Sequence, residues 1–161
     1  MADPNREPHR YRCRTLWTGA AKGPTASYAS YSREWRAEMP GKPAITGTAD
    51  VPFLGDAALP NPEDMLLVAL STCHMLSYLA VAASAGIAVL AYEDQATGEM
   101  SMKQKAMRFT DVLLRPKVTL ATGSDVAKAE ALHEKAHRIC FIANSVNFPV
   151  RHQAETIVAK N

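Results

Sequence analysis

The feature that most constrains this chain is an uncharged run over residues 65–92, most of it typical of one long apolar helix. The run exceeds the roughly 20 residues that a membrane-spanning helix needs. Its flanks are acidic, however, with Glu63 and Asp64 before it and Glu93 and Asp94 after it, whereas spanning helices usually carry Lys or Arg on the cytoplasmic side. We therefore predict a helix at the centre of a soluble core and no membrane partner.

The start of this helix is marked by Asn61-Pro62-Glu63-Asp64. Asn suits the N-cap, Pro suits the first helical position, and the two carboxylates suit the positive end of the helix dipole. The helix is predicted to extend to about Ser84 and to stop at Gly86. Its apolar side chains cover most of its circumference, so one sheet cannot bury them all, and we predict that a second copy of the chain buries the rest in a homodimer.

Strand periodicity and turn residues predict the element order βββ-α-ββ-α-β. The strands are expected near residues 11–17, 25–38, 44–50, 87–100, 105–121 and 150–158, with Pro116 at a bend or sheet edge, and a second helix is expected from an N-cap at Ser124 to near Cys140. Because strands cluster instead of alternating strictly with helices, the fold class is α+β with largely antiparallel sheet. Residues 1–10 are predicted to form a flexible arm and residues 11–161 a single domain.

Composition excludes several functions. The formal charge is only +2 and no long block of one sign occurs, which argues against a nucleic-acid partner. The N-terminus lacks an apolar signal region, so we expect a cytoplasmic protein. The three cysteines at positions 13, 73 and 140 are too few for a secreted disulfide framework and lack zinc-ligand spacing. We therefore expect neither a metal nor a cofactor.

Two of the cysteines are candidates for chemistry. Cys73 lies within the apolar helix beside His74, and Cys140 ends the second helix. Each, taken alone, is more typical of a small core residue than of a catalyst. In a reducing compartment, a cysteine that matters is more often catalytic or redox-active than structural. We assign no role to Cys13, predicted to be a core or half-buried strand residue, and we expect His74 to be a buried, hydrogen-bonded histidine.

The second helix also contains a literal H-E-x-x-H match, His133-Glu134-Lys135-Ala136-His137. In zinc peptidases this spacing places two imidazoles on one helix face, with the Glu as general base. A clear third ligand is missing here. A zinc metallopeptidase that binds its metal at His133 and His137 is the less favoured alternative.

A combination of motifs resembles the OsmC/Ohr family of thiol peroxidases. Asn61-Pro62-Glu63 is followed ten residues later by Cys73, and a second cysteine closes Ala136-His137-Arg138-Ile139-Cys140. The SVNFPVR stretch that ends at Arg151 also resembles the family's entry into its last strand. The resemblance covers residues 12–158 and includes the order of elements.

The resemblance implies an OsmC-like fold, an intertwined homodimer with the active site at its interface, and reduction of organic and inorganic hydroperoxides. Cys73 would attack the peroxide and become a sulfenic acid, Cys140 would form a disulfide with it, and an external thiol or dithiol would reduce that disulfide. Glu63 would orient an arginine that activates Cys73. A straight helix separates Glu63 and Cys73 by about 15 Å, so either the helix is interrupted or the partner subunit completes the site.

The activating arginine is where this sequence departs from the family pattern. Close relatives often carry arginine where this chain has Leu54, and Ohr-like members use the first hairpin, where this chain offers only Lys22. Arg33 and Arg36 remain, and we favour Arg33. Phe141 replaces a proline that often follows the resolving cysteine. The main alternative keeps the fold and loses the activity: a small-ligand-binding protein in which both cysteines are inert.

Overall fold

The computed structural model describes residues 7–160, which form two compact units divided between Met65 and Leu66. The predicted N-terminal arm falls mainly on residues 1–6, which lie outside the described residues. From residue 7 to residue 13 the chain is exposed and forms neither helix nor strand. Cys13 is therefore exposed, and its predicted place in a half-buried strand is wrong, because the strand begins one residue later.

The first unit contains one antiparallel sheet of three short strands. These are β1 (Arg14–Trp17), β2 (Trp35–Glu38) and β3 (Ile45–Gly47), with β2 in the middle. The second strand is shorter than predicted because residues 26–31 form turns, in which the Ser30 hydroxyl accepts a hydrogen bond from the Ser27 amide. A 3-10 helix over Thr18–Lys22 follows β1, and another over Val51–Phe53 precedes the long helix.

Helix α1 (Pro62–Ser84) begins as its sequence predicts. The Asn61 side chain accepts a hydrogen bond from the Asp64 amide at 2.7 Å, and the Asp64 carboxylate accepts one from the Asn61 amide at 3.1 Å. This reciprocal capping satisfies two amides that would otherwise lack partners. The helix ends where Gly86 adopts a left-handed φ of 73°.

The second unit contains two three-stranded sheets and helix α2 (Val126–Ile139). One sheet has the order β4-β7-β9 and the other β5-β6-β8. The six strands are β4 (Val89–Asp94), β5 (Thr97–Lys103), β6 (Ala106–Leu114), β7 (Pro116–Leu120), β8 (Val150–His152) and β9 (Glu155–Val158). Asp125 caps α2 by accepting a hydrogen bond from the Lys128 amide at 2.9 Å, so the prediction of Ser124 as N-cap is wrong.

The α+β fold class is confirmed, and each of the last three predicted strands is divided in two. The chain leaves one sheet and enters the other at residues 95–96, 115 and 153–154. Pro116 lies at one of these crossings, as its missing amide hydrogen predicts. Among the described strands, four pairings are antiparallel, while β6–β8 and β7–β9 are parallel.

Helix α1 buries one face only. Leu70, His74, Tyr78 and Ala82, at four-residue spacing, are completely buried, whereas Val68, Thr72, Leu76 and Ala80 form an exposed stripe. By length and composition α1 could cross a membrane. Its polar side chains, however, make specific contacts within the fold: the Ser71 hydroxyl donates to the Asp94 carboxylate at 2.6 Å and the Tyr78 hydroxyl to the Ala129 carbonyl at 3.2 Å. These are the contacts of a core helix.

Candidate active site

An open groove of about 530 Å³ reaches the Cys73 side chain in the second unit. The groove is lined mostly by apolar atoms of α1, of the end of α2 and of the residues that follow α2. The lining includes Thr72, Leu76, Ala80, Ile139, Phe141 and Ile142. An apolar molecule in this groove would lie against the sulfur of Cys73.

Cys73 and Cys140 are brought together although 67 residues separate them in the sequence. The Cys73 thiol lies close enough to Cys140 to raise the pKa of Cys140, and both thiols are free. Cys140 is completely buried, whereas Cys73 is partly exposed to the groove. The Ile142 amide donates a hydrogen bond to the Cys73 sulfur at 3.5 Å.

The two thiols differ in environment. Burial raises the pKa of Cys140 to about 11, and the neighbouring Cys73 thiol acts in the same direction, whereas the backbone amides of Ala143 and Ile142 oppose the rise. Because desolvation disfavours a thiolate, Cys140 keeps its proton at neutral pH.

Cys140 owes its position to the end of α2. The Cys140 amide donates to the His137 carbonyl at 3.2 Å and closes the last turn. The Asn144 side chain then donates to the carbonyls of Arg138 at 3.0 Å and Cys140 at 2.9 Å. Sequence reasoning missed Asn144, although an amide side chain shortly after a helix end is a familiar partner for free carbonyls. Phe141, in place of the family's proline, is 80% exposed.

A second cavity of about 230 Å³ lies in the first unit and is lined by Arg33 and Glu63. The Arg33 guanidinium lies 3.8 Å from the centroid of the Tyr31 ring and 4.9 Å from that of Tyr28, and it donates to the backbone carbonyls of both tyrosines. Within residues 7–160, Arg33 forms no ion pair. This arrangement fixes the cation in its own loop and leaves it without a carboxylate partner.

Glu63 also lacks a polar partner. Asp64 completes the capping box with Asn61, and the Glu63 carboxylate forms neither a hydrogen bond nor an ion pair among the described residues. The predicted Glu63–Arg33 pair stays a prediction: both side chains line the same cavity without touching. Helix α1 is continuous between Glu63 and Cys73, so the interrupted helix considered from the sequence is wrong.

The other cations considered from the sequence are already paired with carboxylates. Lys22 forms an ion pair with Glu34, and Arg36 contacts Glu38 at 3.1 Å. Leu54, at the position where relatives often carry arginine, is half exposed and adopts a left-handed φ of 64°. A bulky side chain is strained in that conformation.

The residues of the H-E-x-x-H match have other partners. His133 is buried and its Nδ1 contacts His74 Nε2 at 3.1 Å, while Glu134 faces Arg138 at 3.5 Å and His152 at 3.6 Å. Over residues 7–160, no three His, Cys, Asp or Glu side chains converge at a geometry that could hold a metal. His74 is buried and hydrogen-bonded through one ring nitrogen, but its Nδ1 has no partner in the described part of the chain.

Comparison with known proteins relates this geometry to one family. Residues 55–155 match the family model described as OsmC-like protein. The "Uncharacterized protein YmaD" of Bacillus subtilis (strain 168) is 29% identical over 101 residues, 61% of this chain and 67% of that protein.

Solved structures show the same fold. An OsmC-like protein of unknown function from Vibrio cholerae is 31% identical, with a TM-score of 0.83, and the match covers 91% of this chain and 99% of that one. A structure from Legionella pneumophila, described as an organic hydroperoxide resistance protein OsmC, has a TM-score of 0.69 at 17% identity, over 95% of this chain and 100% of that one. The latter likeness concerns the fold alone.

Proposed function

Because the chain belongs to the OsmC-like protein family, we propose that it is a thiol peroxidase, an oxidoreductase that reduces organic hydroperoxides with Cys73 as nucleophile and Cys140 as resolving cysteine. The contact between a groove-facing thiol and a fully buried thiol carries this proposal. The fold shared with an organic hydroperoxide resistance protein supports the same substrate class.

In the first step, the Cys73 thiolate attacks the terminal oxygen of the hydroperoxide. An S–O bond forms, the O–O bond breaks, and the alkoxide takes a proton and leaves as an alcohol. The sulfur loses two electrons and becomes a sulfenic acid. The Ile142 amide, which already donates to this sulfur, and the proton of Cys140 both stabilise the starting thiolate.

In the second step, the Cys140 sulfur attacks the sulfenic acid sulfur of Cys73. An S–S bond forms, and the displaced hydroxide leaves as water with the proton that Cys140 gives up. An external thiol or dithiol then reduces the disulfide. Since all redox equivalents pass through the two cysteines, the cycle requires no cofactor.

The groove favours organic over inorganic peroxide. Its lining is predominantly apolar, so burying the alkyl or aromatic part of a hydroperoxide there would stabilise the complex by roughly 25 cal/mol per Å² of apolar area. Hydrogen peroxide gains nothing from this lining and would react more slowly with the same sulfur.

The activating cation is Arg33, oriented by Glu63, in a site that a second subunit completes. Support comes from a guanidinium and a carboxylate that line one cavity and form no ion pair among the described residues, and from the exposed apolar stripe of α1, which a homodimer would bury. Arg36 and Lys22 are weaker candidates because carboxylates already neutralise them. The homodimer would act in the cytoplasm, where thiol reductants are available.

Steady-state turnover tests this function. The reduced protein is supplied with cumene hydroperoxide and dithiothreitol, and peroxide loss is followed over time. Wild type should consume peroxide catalytically, Cys73→Ser should be inactive, and the exposed Cys13→Ser should match wild type. Equal turnover by wild type and Cys73→Ser would refute the proposal.

The second candidate is a small-ligand-binding protein of the same fold. One observation favours it: no Lys or Arg among residues 66–160 hydrogen-bonds to Cys73. An apolar ligand would then occupy the groove without reacting. Binding of cumyl alcohol together with unreactive thiols would select this candidate.

A further inference from the structure

Four of the five histidines form one cluster of neighbouring rings, in which two are buried and two are half-buried. His74 belongs to α1, His133 and His137 to α2, and His152 to β8. The ring centroids of His74 and His133 are 5.4 Å apart, as are those of His74 and His152. The proposed chemistry uses none of these rings.

One direct bond links the two helices through this cluster. His74 Nε2 and His133 Nδ1 are 3.1 Å apart, and both residues are completely inaccessible to solvent. Such a bond requires at least one neutral imidazole, whose bare ring nitrogen accepts the N–H of the other ring. Burial supplies this condition, because it lowers the pKa of His74 to about 4 and that of His133 to about 3.

The two ends of this bond lie close to the thiols along each helix. His74 directly follows Cys73 on α1. Cys140 follows His133 by seven residues, which is nearly two turns and returns to almost the same side of α2. A displacement of α2 against α1 at the histidines would therefore also displace Cys140 from Cys73.

The next contact along α1 lies further from the thiols. The Tyr78 ring stacks on His133 at a centroid distance of 4.0 Å, and its hydroxyl donates to the Ala129 carbonyl. Tyr78 is five residues beyond Cys73 and also packs on the His133 ring, so its contacts with α2 begin at His133 and extend away from the thiols. On the side of the thiols, the His74–His133 hydrogen bond joins α1 to α2. Beyond the end of α2, the Ile142 amide donates to the Cys73 sulfur.

We infer that the hydrogen bond between His74 and His133 is a positioning contact that holds the Cys140 thiol against the Cys73 thiol and thereby favours disulfide formation between them. The inference rests on the proposed function for its biological meaning. In physical terms, fixing α2 on α1 raises the effective concentration of the Cys140 thiol at Cys73.

Equilibration with dithiothreitol tests this positioning without any peroxide. Oxidised dithiothreitol accepts the two electrons and two protons of the Cys73 and Cys140 thiols, which become the disulfide while the reagent becomes a dithiol. Cys13→Ser serves as the background, so that only these two cysteines react. The ratio of disulfide to dithiol protein, measured by mass spectrometry across a series of reagent ratios, gives the equilibrium constant.

The variants separate the hydrogen bond from the shape of the ring. His74→Leu and His133→Leu remove the bond, whereas His74→Gln and His133→Asn place an amide nitrogen or oxygen near the lost Nε2 and Nδ1. The leucine variants should shift the equilibrium at least tenfold towards the dithiol, and the amide variants should lie within about threefold of the parent. His137→Gln, a matched change on the same helix outside the pair, should leave the equilibrium unchanged.

An unchanged equilibrium in folded leucine variants would overturn the inference, as would equal losses in the leucine and amide variants. If a leucine variant does not fold, His133→Ser provides the comparison, since its short side chain cannot span to His74. A parallel assay with cumene hydroperoxide keeps the two proposals apart. If wild type fails to react with the peroxide, the proposed function fails, while the dithiothreitol equilibrium still decides the role of the histidines.

Discussion

Cys140 is completely buried, and the Cys73 thiol that raises its pKa faces an open apolar groove. This asymmetry assigns different chemistry to two identical side chains. In the proposed cycle a peroxide would therefore react with Cys73 before Cys140, because only Cys73 of the two faces the groove and burial keeps Cys140 protonated.

Arg33→Ala should slow oxidation of Cys73 by organic peroxide at least tenfold. Its guanidinium is the candidate cation without a carboxylate partner, and in the proposed site the loss of this positive charge would disfavour the thiolate. The rate is measured by stopping the reaction of reduced protein with cumene hydroperoxide at intervals and counting free thiols. Arg36→Ala, which removes an arginine already paired with Glu38, should stay within about twofold of wild type. The reverse ranking would transfer the role to Arg36.

Leu54→Gly should stabilise the protein by roughly 0.5–1 kcal/mol. Leu54 has a left-handed φ of 64°, which costs a non-glycine residue about 1–2 kcal/mol, partly offset by the greater freedom of glycine in the unfolded chain. Urea unfolding measures the change. Leu90→Gly, at an exposed leucine with ordinary backbone geometry, should instead lower the free energy of unfolding. Destabilisation by both changes would show that Leu54 is not strained.

Leu76→Lys should convert a dimer into a monomer. Leu76 lies in the exposed stripe of α1, and 62% of its surface is accessible. A lysine at this position would bury an unpaired ammonium group in an apolar dimer interface. Leu90 has the same exposure on β4, so Leu90→Lys is the matched control and should leave the assembly unchanged. Sedimentation velocity gives the masses. A monomeric wild type would contradict the predicted homodimer.

The stability of the protein should fall as the pH drops from about 6.5 towards 4. In the folded chain, burial lowers the pKa of His74 to about 4 and that of His133 to about 3, while the unfolded chain binds protons at the ordinary pKa near 6.5. Below that pH the unfolded state binds more protons than the folded state, which lowers the free energy of the unfolded state relative to the folded state. Each histidine should cost roughly 2 kcal/mol of stability between pH 7 and pH 5.

The same experiment needs controls, because other titratable groups surround the histidine pair. They lie on α1, α2, β4 and β8: Tyr78, Glu130, Glu134, His137, Tyr92 and His152. His133→Leu should reduce the pH slope by about half, whereas His9→Gln, at an exposed histidine, should retain the full slope. Urea midpoints at several pH values supply the comparison. Equal slopes in all three proteins would assign the acid sensitivity to other groups.

The fold was predictable from the sequence where local signals were strong. Asn61-Pro62 at one end and Gly86 at the other determine α1, because capping and the left-handed stop act through adjacent residues. The division of the later strands was not predictable in the same way. Only Pro116 marks a crossing between sheets, while the change at residues 153–154 follows from pairing with β6 and β7, which are distant in the sequence.

The candidate site shows the same limit. Family motifs selected Cys73, Cys140 and Glu63, whereas Arg33 was chosen among the remaining cations, and the structure places the two thiols near each other. The His74–His133 bond was not predicted, because the spacing of residues along one helix does not indicate which residues of another helix they contact. Asn144 was missed for a similar reason: its partners are carbonyl groups, which leave no trace in the side-chain sequence.

The most direct measurement is the mass of the reduced wild-type protein after one equivalent of cumene hydroperoxide, followed by peptide mapping of the alkylated product. The account predicts a loss of two hydrogens and a single cross-link between the peptides of Cys73 and Cys140, while Cys13 remains free. In Cys140→Ser the same treatment should leave a sulfenic acid on Cys73. An unchanged mass, or oxidation confined to the exposed Cys13, would contradict the proposed peroxidase.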